Sequence, residues 1–187
     1  MSSLSGHEAA HAAFVARLLA RSRAAGARTR VRELAMALHL IAEPLPMHRW
    51  RQHRWPENVQ TLPFALVNVA HDGDFSTFSP ELLGQPSAEF GSFAFGNVAR
   101  DGYFAAARGE RFARVWSAIV RGVRACEASC AHFGYCGGGA PANKLYENGD
   151  LASTETLYCR TALKRPFDAV LAQLERDVTP GHRQGRS

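Results

Sequence analysis

The chain has 187 residues, 46% of them hydrophobic and 21% charged, with a formal net charge of +5. This is the composition of a globular protein with one substantial core or two small ones, and it excludes wholesale disorder, collagen-like and coiled-coil architectures. No apolar run approaches the roughly 18 residues that suggest a bilayer span, so no membrane partner is expected.

The N-terminal residues lack a basic segment followed by an apolar one, so a cytoplasmic, reducing location is the expectation. The charge is almost wholly arginine: Lys144 and Lys164 are the only lysines, and residues 1–60 hold nine Arg against four Glu. These arginines are scattered and do not run together with interleaved aromatics. They read as solvated helix faces, and no nucleic-acid partner is expected.

In chain order, residues 7–25 place Ala12, Val15, Leu18 and Leu19 at helical spacing behind a capping box of Ser5 and Glu8, with Gly26 as the stop. A second helix over residues 30–42 carries Val31, Leu34, Leu38 and Ile41 on one face, before Pro44 and Pro46. Residues 44–63, rich in Pro, Arg, His and Trp, show no period and read as an irregular connection and the main internal boundary. Residues 64–70 and 75–79 are β-prone runs around Asp72 and Gly73, a hairpin signal. Over residues 110–125, Phe112, Val115, Trp116, Ile119 and Val123 form an apolar stripe that leads into Cys126. Leu163, Phe167, Val170, Leu171 and Leu174 predict a closing helix over residues 163–175.

All four cysteines fall late in the chain, at Cys126, Cys130, Cys136 and Cys159, which points to one shared site. On a continuing helix Cys126 and Cys130 share a face, four residues apart. Four thiolates suit a 4Fe–4S cluster, with one Cys per iron, or a tetrahedral zinc. Zinc ribbons usually pair ligands at shorter intervals than these, so the spacing favours the larger object and leaves zinc, or unliganded thiols, as alternatives. Gly137, Gly138 and Gly139 let backbone N–H groups approach cluster sulfur, and His132, Phe133 and Tyr135 lie where they can exclude water.

Cys126, Cys130 and Cys136 with the three glycines, then Lys144 and Glu147, then Thr154, Glu155 and Thr156 ahead of Cys159 and Arg160, resemble the C-terminal SPASM domain of radical SAM peptide maturases. The stretch is most similar to maturases paired with short Gly-rich precursor peptides, some of them associated with cyclophane formation. Residues 75–84 and Gly96, Asn97 and Val98 are similar to the same group, so the resemblance covers about residues 55–175. It implies an α+β, SPASM-like fold in which a β-hairpin and helices surround a cysteine site. It implies that Cys126, Cys130, Cys136 and Cys159 ligate one auxiliary 4Fe–4S cluster, whereas fuller SPASM domains carry more cysteines and two clusters.

Residues 1–60 then resemble the last helices of a radical SAM barrel, residues 61–177 the SPASM-like domain, and residues 178–187 a disordered tail. No cysteine precedes Cys126, so the CxxxCxxC loop that chelates and cleaves SAM is absent. No catalytic residue is assigned, and SAM binding is not expected from this chain alone. A radical SAM core acting in trans or as a missing N-terminal portion, a precursor peptide, and self-association through an uncovered apolar face are the expected partners. The alternative is a zinc-stabilised structural or peptide-interaction module without a redox role.

Smaller candidates have bland readings beside them. His7 and His11 stand four apart on a helix but lack a third ligand, and Asp72 and Asp74 fit a hairpin turn better than a calcium loop. Glu81, Lys144, Glu147 and Glu155 match the family-like motifs, either as peptide contacts or, more in keeping with their type, as ion-pairing loop residues. No hydrolase, P-loop or zinc-protease motif is present.

Overall fold

The computed structural model describes residues 4–26 and 30–179. The chain divides into two units, one built from Met1–Pro44 with Leu157–Ser187 and the other from Leu45–Thr156. The sequence places a boundary near residue 60; by contact the first unit runs to Pro44, and the final helix groups with the first two. The expected disordered tail falls, apart from Val178 and Thr179, outside the described residues.

Helix α1 (Glu8–Ala24) buries Val15, with Ala12, Leu18 and Leu19 half-buried on the same stripe. Its N-cap is His7, which makes no side-chain cap bond, so the helix begins two residues after the Ser5 expected to cap it. Glu8 instead sits in the first turn, where a negative charge meets the unsatisfied N–H groups favourably. Helix α2 (Arg32–Ala42) buries Leu34 and Ala37. Leu38, expected on that face, is exposed, and Ala37 is buried beside Leu34 in its place.

In the second unit, β1 (Met47–Trp50) and β2 (His53–Pro56) pair antiparallel as Met47 with Pro56 through Trp50 with His53. This hairpin corrects the irregular reading of residues 44–63. Its two-residue turn is Arg51-Gln52, with Arg51 at φ 54, so none of the usual Gly or Asn turn residues announces it. The expected hairpin does form: β3 (Val67–Val69) pairs with β4 (Asp74–Thr77) across a turn in which Gly73 takes φ 88, and β7 (Gly96–Asn97) joins the other edge of β4. A short 3-10 turn (Pro80–Leu82) and a small pair, β5 (Pro86–Ser87) with β6 (Gly91–Ser92), lie between them.

Helices α3 (Tyr103–Ala106) and α4 (Glu110–Ser129) follow, and α4 buries Phe112, Val115, Trp116, Ile119, Val123 and Cys126 along the predicted stripe. Phe78 is fully buried against it, stacked on Trp116 at 5.8 Å and 5° and on Phe112 at 5.8 Å and 23°. Its φ of 77 is left-handed, a strain of roughly 1–2 kcal/mol that burial of the ring offsets. Two further helices, α5 (Phe133–Cys136) and α6 (Pro141–Asn148), complete this unit.

The chain then returns to the first unit through a π-helical turn (Cys159–Lys164) that runs into α7 (Arg165–Val178). Pro166 has no N–H to donate to the preceding turn, and the wider π turn lies where a regular α-helical ladder would lose that bond. Helix α7 packs on α1 and α2 and buries Phe167 and Val170. Arg23 and Asp177 pair at 2.7 Å, and Arg160 reaches Glu8 at 3.7 Å. Among the described residues no helix is long and apolar enough to cross a membrane.

Candidate functional site

The buried stripe of α4 carries Cys126 into the core, where it is 8% exposed. The helix ends one turn later: Cys130 is its C-cap, in extended conformation, with its N–H donating to the Cys126 carbonyl at 2.9 Å. The chain turns at once, the Phe133 N–H donating to the Cys130 carbonyl at 3.1 Å, and α5 ends on Cys136. Gly137 caps α5 in the left-handed region. The segment then folds back on α4, so that Cys126 Sγ lies 3.8 Å from the Gly138 carbonyl oxygen.

The three glycines have a packing role that the sequence reading did not foresee. A Cβ at Gly137 would stand 2.4 Å from the Pro56 carbonyl oxygen, and one at Gly138 would stand 2.9 Å from Val123 Cγ2. Both also have positive φ, 59 and 97. The run is glycine because its backbone lies directly against the end of β2 and against α4.

Two residues hold this segment: Asn58, which the sequence does not mark, and Lys144, which it places in the family-like motif. Asn58 Nδ2 donates to the Cys136 carbonyl at 2.8 Å and to the Gly139 carbonyl at 3.1 Å, while its Oδ1 accepts from the Gln60 N–H at 3.0 Å. It lies in the stretch read as irregular, and no local signal marks it. Lys144, on α6, is 3% exposed, and its Nζ donates to Cys126 Sγ at 3.4 Å. Gly122 makes room for that ammonium, since a Cβ there would lie 3.0 Å from Nζ. The N-terminus of α6 is fixed by Ser79, whose Oγ accepts from the Ala142 N–H at 3.2 Å and donates to Gln60 Oε1 at 2.9 Å.

Asn58→Ala removes two donors from buried or half-buried carbonyls and is expected to cost about 2 kcal/mol. Faster amide exchange over residues 136–139, measured by mass spectrometry, accompanies that loss. Unchanged exchange there would show that Asn58 does not hold the turn.

The structure thus brings Cys126, Cys130 and Cys136 to one helix end and its returning turn. Cys159 opens the π-helical turn of the other unit. Phe133 packs against the core, and His132 and Tyr135 are half-buried. Among the described residues, no three His, Cys, Asp or Glu side chains are grouped as a single metal ion requires. Thiols are the side chains that a thiophilic metal takes, and the match of these four is one of residue type.

The lesser candidates take structural positions. His7 caps α1. Asp72 Oδ1 accepts from the Asp74 N–H at 3.1 Å, and Asp74 Oδ1 accepts from Asn97 Nδ2 at 2.9 Å, which is hairpin-turn bonding. The Glu81 carbonyl accepts from the Tyr146 hydroxyl at 3.1 Å, and the Glu155 carbonyl accepts from Asn148 Nδ2 at 2.9 Å. Glu147 is exposed on α6.

Fold and site together define a mixed α and β protein with small antiparallel sheets and a cysteine-rich helix end backed by a buried lysine. It is similar to an uncharacterized protein of Synechocystis sp., with 38% identity over 149 residues. The matched region is 80% of this chain and 35% of that protein, so the chain spans about a third of the length of the curated relative it matches. No protein-family model matches the chain, and no solved structure matches it.

Proposed function

We propose that this chain is the auxiliary 4Fe–4S cluster-binding portion of a radical SAM/SPASM maturase that modifies a ribosomally synthesised peptide. Its ligands in this reading are Cys126, Cys130, Cys136 and Cys159. The observation that carries the reading is the course of the backbone around the first three. The end of α4 and the turn after α5 are held together by the contact of Cys126 with Gly138 and by the Asn58 strap. The sequence resemblance over about residues 55–175 adds support.

When bound, such a cluster would supply one-electron transfer or local support, with Cys126, Cys130, Cys136 and Cys159 as the residues that would hold it. Asn58 fixes the backbone on either side of the Gly137–Gly138 turn. Lys144 brings a positive charge to the Cys126 sulfur and balances the charge that a ligating thiolate carries. Without a CxxxCxxC loop the chain does not generate a radical from SAM alone, and a radical SAM core, in trans or in the same longer protein, is its partner.

Metal analysis of anaerobically purified and reconstituted protein tests this. About four irons and four sulfides per chain are expected, with charge-transfer absorption that is lost in Cys136→Ser. Stoichiometric zinc without sulfide would overturn the reading and leave a zinc-stabilised interaction module, which four thiols also suit.

A further inference from the structure

The turn of the β1–β2 hairpin and one side of α4 line a half-open cavity of about 310 Å³, wholly within the second unit. Its wall is apolar and aromatic, with Phe112, Trp116 and Val120 from α4, and its polar side carries Arg51 and His53 from the hairpin. No carboxylate lines it. The His53 ring stands 6.0 Å from Trp55 and 6.1 Å, edge-on, from Trp116. Burial, and then the guanidinium groups of Arg124 and Arg51, hold the His53 pKa below its usual value, so the imidazole is neutral at pH 7.

The positive charge lining the cavity at that pH is therefore Arg51's. Among the described residues Arg51 makes no ion pair with a carboxylate, whereas nearby Arg124 pairs with Glu127. Arg51 also holds the left-handed position of a two-residue turn, φ 54, where glycine is favoured. An exposed arginine at the rim of an aromatic-walled groove, without a carboxylate partner, is placed to meet an anion from outside.

We propose that this cavity binds a planar apolar group that carries a single carboxylate, the ring lying against Trp116 and Phe112 and the carboxylate on the Arg51 guanidinium. A guanidinium meets a carboxylate through two parallel N–H donors, and one such fork matches one negative charge. The volume suits one aromatic side chain and its immediate neighbour. In a peptide this chemistry is found at an aromatic C-terminal residue, or at an aromatic residue beside Asp or Glu. The inference does not depend on the metal reading, because no cysteine lines the cavity.

Isothermal titration of the full chain with three probes tests it. N-acetyl-phenylalanine carries the carboxylate on the aromatic residue, N-acetyl-aspartyl-phenylalaninamide carries it on the neighbour, and N-acetyl-phenylalaninamide has none. At least one acidic probe is expected to bind about tenfold or more tightly than the neutral one, and the better of the two identifies the source. Arg51→Gly is expected to erase that preference while the thermal midpoint holds or rises, since glycine relaxes the turn. Equal binding of all three probes, no binding, or a preference that survives Arg51→Gly would each overturn the proposal.

Discussion

Gly122→Ala is expected to destabilise the cysteine-bearing unit by about 3 kcal/mol, although alanine is the better helix former by about 1 kcal/mol. Gly122 lies inside α4, where its missing side chain normally counts against it. Here the new Cβ would meet the Leu151 carbonyl oxygen at 2.4 Å and Lys144 Nζ at 3.0 Å. Leu151 is 1% exposed and part of the core, so its backbone cannot withdraw without opening packed side chains. The propensity gain is smaller than the cost of moving that backbone, and the sign reverses. Urea unfolding followed by circular dichroism measures the effect, and equal or greater stability for the variant would contradict the close approach.

Cys126→Ala and Lys144→Met, taken as a double-mutant cycle on metal-free protein, are expected to couple by about 2 kcal/mol or more. Cys126→Ala removes the sulfur that accepts from the buried Lys144 Nζ, and a buried donor left without its partner costs about 1–3 kcal/mol, more when it is charged. Lys144→Met costs about 1 kcal/mol or less, because methionine fills similar space and leaves no buried ammonium to satisfy. The double variant should therefore be more stable than the sum of the single effects predicts. Additivity within about 0.5 kcal/mol would show that Lys144 and Cys126 do not act as a pair.

The stripe of α4 was legible because its signal is local: apolar residues at helical spacing show in the sequence itself, and each of them is buried. The β3–β4 hairpin was legible for a similar reason, since Gly73 marks a turn that needs positive φ. The β1–β2 hairpin was not, because Arg51 takes the left-handed turn position without a side chain that signals it, and the flanking residues are Arg, His and Trp. The grouping of the last helix with the first two was not legible for a different reason. Helix α7 buries Phe167 and Val170 in the unit that contains α1 and α2, and pairing between segments so distant in sequence leaves no local trace.

At the cysteines the division is the same. Their clustering, and the helix that delivers Cys126, follow from residue type and spacing, which the sequence carries in full. That Gly137 and Gly138 are required by Pro56 and Val123, that Asn58 ties down the Cys136 turn, and that Lys144 lies buried against Cys126 were decided only when distant segments packed. Short-range periodicity determines which elements form and which face they bury. Close approach, and the pairing of buried polar groups, depend on which backbones meet in three dimensions, and the tertiary structure alone decides that.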